Sequence, residues 1–330
     1  MTARKKNVQA QHEGNTPPDD EGRVSRPRRD VGAVLRFLGG LLLAVAVFSG
    51  IMVAIGVRLD QDPQPEAPSS AEKARESLVE QALRTGGAAQ QLATANPDSP
   101  IYQEIADAGS AWAESLGGTW QPWPSGAPTG QTNPPLNTAG AAANSSELRS
   151  QLTDIADTAL VASSDADAAD RSTYLSISLG ARLLANRLAD TTNIDAPGCG
   201  DADLTIVAAA TGSTDSLIAA DSARQWLEID AAALPADERD AEVTRIESIS
   251  HLEEAMIVGG TADTREAFAA RPDLADGQSY TSVALDTLTA QLLQAAADAD
   301  AAGREAAVNY ACSLYSTEDA ATAGAMPGSN

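Results

Sequence analysis

The chain has 330 residues, with 22 basic and 46 acidic side chains and a net charge of −24. An acidic excess of that size repels nucleic acid and other anionic polymers, so neither is expected as a partner. Aromatic residues make up only 4% of the chain, so any core must be built from Leu, Ile, Val and Ala.

Residues 1–32 mix Arg, Pro, Gln, Gly and Asp with almost no large apolar side chains. They cannot bury enough surface to offset the entropy of ordering and are expected to form a disordered, basic cytoplasmic tail. Residues 33–57 follow as a transmembrane helix. Within them, Phe37 to Val57 is free of charge. At about 1.5 Å per residue that run is ~31 Å long, enough to cross a ~30 Å hydrocarbon core. Residues 1–36 hold 8 of the basic and 5 of the acidic side chains, and basic flanks stay inside. The expected orientation is therefore N-terminus cytoplasmic and C-terminal domain extracytoplasmic.

A cleaved signal peptide is the alternative, with Ala54-Ile55-Gly56 as the cleavage site. The apolar run is longer than a usual signal core and follows a long basic segment, which favours a retained anchor. Ala46, Gly50 and Ala54 recur every four residues and share one helix face, the pattern of a close homodimer contact or of ordinary small-residue content.

Residues 58–69, with Pro63, Pro65 and Pro68, read as an extended spacer. Residues 70–318 read as an extracytoplasmic helical domain. The first helix starts at the Ser69/Glu72 capping pair and weakens or ends at Gly86-Gly87. Ser99-Pro100 opens a second helix, with Ser99 as cap and Pro100 at the first turn, that stops at Gly117-Gly118. A Trp- and Pro-rich loop occupies 119–143. Asn144 and Glu147 then begin a helix, and Asp170 to Asp190, apolar nearly all round, is expected at the centre of the domain. Further helices are expected at 202–210, 213–233, 236–258, 262–269 and 279–316, with residues 319–330 as a flexible tail. The fold class is all-α: a single transmembrane helix followed by a multi-helix bundle.

Cys199 and Cys312 both lie outside the span, 113 residues apart. An oxidising exterior favours a disulfide between them. Trp112, Trp120 and Trp123 fall within twelve residues and form the candidate binding surface, since Trp on an exposed loop can dock a partner. Glu253 lies in the apolar stripe of its helix, where a lone carboxylate is costly. Arg187 is the expected ion-pair partner, with Arg182 and Arg224 as alternatives.

Several sets resemble sites and fit poorly. His251, Glu247 and Glu254 share a helix face, but it is the face opposite the apolar stripe. Ser70-Ala71-Glu72-Lys73 has the Ser-x-x-Lys spacing without its companion motifs. Asp165, Asp167 and Asp170, and Asp298 with Asp300, lack the calcium-loop pattern. No metal, cofactor or catalytic residue is expected.

Few lysines beside abundant Ala and Asp point to a GC-rich bacterial genome, and in composition alone the chain resembles actinobacterial membrane proteins. The expected function is a membrane-anchored interaction or scaffold module of the cell envelope that binds another envelope protein. The alternatives are a helical-bundle ligand-binding or carrier domain, or an envelope enzyme built on carboxylates such as Glu253.

Overall fold

The computed structural model describes residues 31–54, 67–123, 126–128, 130, 132–133, 140–141, 144–236 and 239–329. The expected tail up to residue 30, the spacer up to residue 66 and much of the 119–143 loop lie outside them. The chain divides into two units, Met1–Gln64 and Pro65–Asn330.

The first unit contains helix α1 (Val31–Ala54). Its described side chains run from residue 36 to residue 51. Phe37, Leu38, Leu42, Leu43, Phe48 and Ile51 are all exposed, Phe37 by 73%. Among the described residues no helix is long and apolar enough to cross a membrane. Nothing lies within 4 Å of a Cβ placed on Gly50, and the Ala54 side chain is outside the described residues.

The second unit is helical throughout its regular structure; no strand occurs among the described residues. Its helices are α2 (Ser70–Ala95), α3 (Ile101–Ser115), α4 (Ser145–Ala162), α5 (Arg171–Thr192), α6 (Leu204–Thr211), α7 (Thr214–Ala233), α8 (Arg239–Val258), α9 (Tyr280–Ala296), α10 (Ala301–Ser313) and α11 (Thr317–Thr322). Most begin where a short polar side chain can accept a first-turn amide. Ser69 accepts from Glu72 N, Asn144 from Glu147 N, Ser213 from Ser216 N and Asp300 from Gly303 N. The expected Ser99 cap is not made: α3 follows Pro100, with no side-chain capping bond.

Two helix groups share α5. Helices α3 and α4 pack on one face of α5, and α2 packs on α3 and α4, in one core that holds Leu78, Ile105, Trp112, Leu152, Ile155, Ile177 and Leu188. Helices α6 to α10 enclose a second core around Leu217, Leu227, Ile249, Leu252, Leu288 and Tyr310. The other side of α5, with Leu175, Leu179 and Leu183, meets Leu293 of α9 and Val308 and Cys312 of α10. The apolar 170–190 segment is thus buried because it has neighbours on two sides.

Three expectations about boundaries are corrected. First, α2 runs straight through Gly86-Gly87. The glycines serve packing: a Cβ on Gly109 of α3 would lie 2.5 Å from Ala82 O and 3.0 Å from Gly86 Cα. Second, residues 262–269 are not helical, and 259–279 forms an irregular strap. Third, the 279–316 helix is divided, because Asp300 caps a new start and Arg304 takes the freed carbonyl of Ala299.

The expected flexible tail at 319–330 is also corrected over its described part. Trp112 Nε1 donates to Ala325 O at 2.7 Å, and Ser176 Oγ donates to Pro327 O at 2.8 Å. Gly180 permits that approach, since a Cβ there would lie 2.1 Å from Ala325 O. The chain end is therefore docked between α3 and α5.

Candidate functional site

Helix α7 carries Asp221, Arg224, Gln225 and Glu228 at three- and four-residue spacing, so they share one face. The strap lies against that face. Gln225 Oε1 accepts from Ala269 N at 2.9 Å, and Trp226 Nε1 donates to Ala270 O at 3.0 Å. These two side chains satisfy strap backbone groups that a helix would have satisfied internally.

Beneath the strap, Glu253 of α8 is only 4% exposed. Its partners are Arg224 and Arg265, not Arg187. Arg265 Nη1 donates to Glu253 Oε2 at 2.6 Å, and Arg224 Nε donates to Oε1 at 3.3 Å. Arg265 also grips Asp263 with two bonds of 2.9 Å, while Arg224 reaches Asp221 and Glu228. Burial pushes the Glu253 carboxyl above its ordinary value; Arg224 pulls it back, neighbouring Asp221 pushes it further up, and Arg265 again lowers it. The strap is tied to α8 through this one buried carboxylate.

Outside the ion pairs lies an open cleft of about 990 Å³ between α7 and the strap. Trp226 lines it half-buried, beside Phe268 and Arg271. Phe268 is 83% exposed, and Arg271 makes no ion pair among the described residues. An exposed ring, an indole and an unengaged guanidinium together can hold an apolar group next to an acceptor.

The other sequence candidates are dispersed. Arg187 pairs with Glu104 of α3, far along the chain from Glu253. Trp112 is fully buried and hydrogen-bonded to the docked chain end, so it is not part of a loop surface. Trp120 and Trp123 are partly exposed, and Asn133 braces the Trp123 backbone on both its N–H and its C=O. Cys199 and Cys312 form a disulfide with Cα atoms 5.4 Å apart. It ties the 194–203 connection to α10.

His251, Glu247 and Glu254 are exposed, and no group of three or more metal-ligating side chains occurs among the described residues. Ser70 and Lys73 sit exposed on the first turn of α2. Asp165, Asp167 and Asp170 are exposed; Asp298 pairs with Arg171, and Asp300 is a helix cap.

The strap and its Arg265 bond were missed from sequence because Thr261 to Ala270 has helix-forming composition. The available signals were Gly259-Gly260 before it and Pro272 after it, with Asp221, Arg224 and Glu228 spaced to make an ion-pair ladder facing it. The chain matches no family model, no curated protein and no solved structure.

Proposed function

We propose that the chain is a single-pass module of a bacterial cell envelope, with its N-terminus in the cytoplasm and its helical body outside. The body engages another envelope protein through the α7–strap cleft. The observation that carries the interaction reading is Phe268. It is a large apolar side chain held out in solvent by a strap whose backbone and ion pairs fix it in place. An exposed apolar group on a pinned element supports docking, because little ordering entropy remains to be lost on binding.

The anchoring half of the reading rests on the charge-free Phe37–Val57 run and its basic N-terminal flank. The disulfide supports an oxidising compartment for the body. Trp120 and Trp123 add a second partly exposed surface on the 119–143 loop. A homodimer through the Ala46, Gly50 and Ala54 face of α1 is compatible with this arrangement.

Topology is tested by adding protease to intact cells that express the full chain. Digestion of the body with survival of residues 1–36 is expected, and a protected body overturns the orientation. Docking is tested in the same cells with a photo-crosslinking residue at position 268 and a control at 251. A discrete adduct at 268 that is lost with Trp226→Ala is expected. Equal labelling at the two positions overturns the cleft as the interface.

A further inference from the structure

The outer surface of the α7–strap cleft carries both halves of a contact. Phe268 stands on the strap 83% exposed. The cleft beside it has a volume of about 990 Å³ and is lined by Trp226, Ile229 and Ala232 of α7, with room for a ring and the turn of strap that carries it. A smaller hollow of about 220 Å³, lined by Ile218, adjoins it and shares Phe268. A knob and a hole therefore lie on one patch. The strap is fixed on both sides of the ring: Arg265 Nη1 donates to Glu253 Oε2 at 2.6 Å before it, and Ala269 N donates to Gln225 Oε1 at 2.9 Å after it. Phe268 is left presented to solvent.

Charge repeats the pattern. Four acidic and three basic side chains line the cleft, close to balance on a chain of net charge −24. Arg224 and Arg265 are taken up by Asp221, Glu228, Glu253 and Asp263. Glu266 and Arg271 remain. They lie on either side of Phe268 in the chain, both are exposed, and neither has an ion pair among the described residues.

A surface that holds a knob with its hole, and an unpaired acid with an unpaired base, is complementary to itself under a twofold rotation. The acid of one copy meets the base of the other, and the reverse. A foreign partner would have to match ring, acid and base separately. Elsewhere on this acidic chain, like charge opposes contact between copies.

On the reading of this cleft as an interface, we propose that its partner is a second copy of the chain. Phe268 of each copy enters the Trp226 cleft of the other, and Glu266 pairs with Arg271 in both directions. One ring and an exposed ion pair from each side make a weak contact between free proteins. Copies tethered in one membrane meet at a far higher effective concentration, which sustains such a contact.

The test uses the full chain in cell membranes, expressed together in two differently tagged forms, with an aromatic photo-crosslinking residue at position 268. An adduct carrying both tags is expected. Glu266→Arg and Arg271→Glu, each alone, should lower that adduct about fivefold or more, since each turns two attractions into two repulsions. The two substitutions together reverse both charges and should restore it. Both positions are exposed, so the variants leave the fold intact. An adduct to a different protein, with no doubly tagged species, overturns the second copy as partner and leaves the cleft an interface. No discrete adduct overturns both. A doubly tagged adduct that is indifferent to the single reversals, or that the double reversal fails to restore, overturns the twofold contact.

Discussion

The helices before and after the 194–203 connection solve the same packing problem in different ways. In α2 to α5 the buried polar side chains are hydroxyls alone: Thr85, Ser163, Ser176 and Ser178. Each can satisfy itself on a nearby carbonyl, as Ser178 does on Ala156 O. In α6 to α10 and their connections the buried set includes Asp221, Arg245, Glu253 and Arg304. The difference follows from the backbone. The first group brings regular helices together over glycine and alanine, and their peptide groups are satisfied internally. The second must hold an irregular strap and the short α11, neither of which has much regular hydrogen bonding of its own. Arg265 ties the strap to Glu253, and Arg245 ties α11 through Asp319 while also donating to Leu314 O. Charge is buried where the strap and α11 are held, whereas the irregular chain end is held on the first group by the neutral Trp112 and Ser176.

That contrast is broken most severely in the first group. Trp112 is a fully buried indole whose N–H carries the docked chain end. Trp112→Ala should cost about 3–5 kcal/mol, the range for deleting a large core aromatic. Chemical denaturation of the full chain in micelles would measure it. Loss of protection in the chain end should accompany it, because Ala325 O loses its donor.

Gly109→Val comes next. Its Cβ would overlap Ala82 O at 2.5 Å, so α2 and α3 must separate. Overpacking of this kind costs about 1–3 kcal/mol. Thermal unfolding would show the loss, and Gly118→Ala, where nothing lies within 4 Å, controls for unrelated effects of a larger residue. Since Gly118 has φ +72°, its own small strain sets the baseline for that comparison.

How much of this was legible beforehand depends on range. Local signals read well: Ser69, Asn144 and the apolar length of α5 each state their structure within a few residues. The disulfide was legible because only two cysteines exist. What failed needed knowledge of a neighbour. Gly86-Gly87 looks like a stop until Gly109 is known to press against it. Residues 262–269 look helical until Gln225 and Trp226 are seen to take their backbone groups. Trp112 looks like part of an aromatic loop cluster until the chain end is found on its N–H. Glu253 was correctly singled out as a buried acid on periodicity, but its partner came from an element with no periodicity to read.

Arg265→Ala sharpens the comparison at smaller amplitude. It removes the bond to Glu253 while the Gln225 and Trp226 contacts remain, so the body should stay folded. The expected loss in global stability is about 1 kcal/mol, since Arg224 still neutralises Glu253. The local effect is larger: residues 261–279 should become cleavable by a non-specific protease at concentrations that leave the wild type intact. An equivalent cut elsewhere would mean the strap is held mainly by its two neutral hydrogen bonds.

Glu253→Met produces the smallest change at neutral pH and separates burial from ion pairing as the dominant force on that carboxylate. Arg224 keeps Asp221 and Glu228, and Arg265 keeps Asp263, so neither guanidinium is orphaned. Replacing the acid by an apolar side chain of similar length should therefore leave stability within about 1 kcal/mol at pH 7, well short of the ~3–5 kcal/mol for exposing an uncompensated buried charge. The pH dependence carries the sign. Burial raises the folded carboxyl above its ordinary value of 4.5, so the folded state holds this proton more tightly than the unfolded chain. The stabilising contribution of Glu253 is then fully present below pH 4.5 and is lost as pH rises through the raised folded value. Methionine has no such term. The difference in unfolding free energy, wild type minus variant, should fall from about pH 4.5 upward and then level off. Glu242 and Asp286, also raised by burial, are common to both proteins and cancel. A difference that instead grows with pH would mean that Arg224 and Arg265 outweigh the desolvation of Glu253. The buried charge would then be a net stabiliser of the strap, and the contrast between the two groups of helices would be one of strength as well as of chemistry.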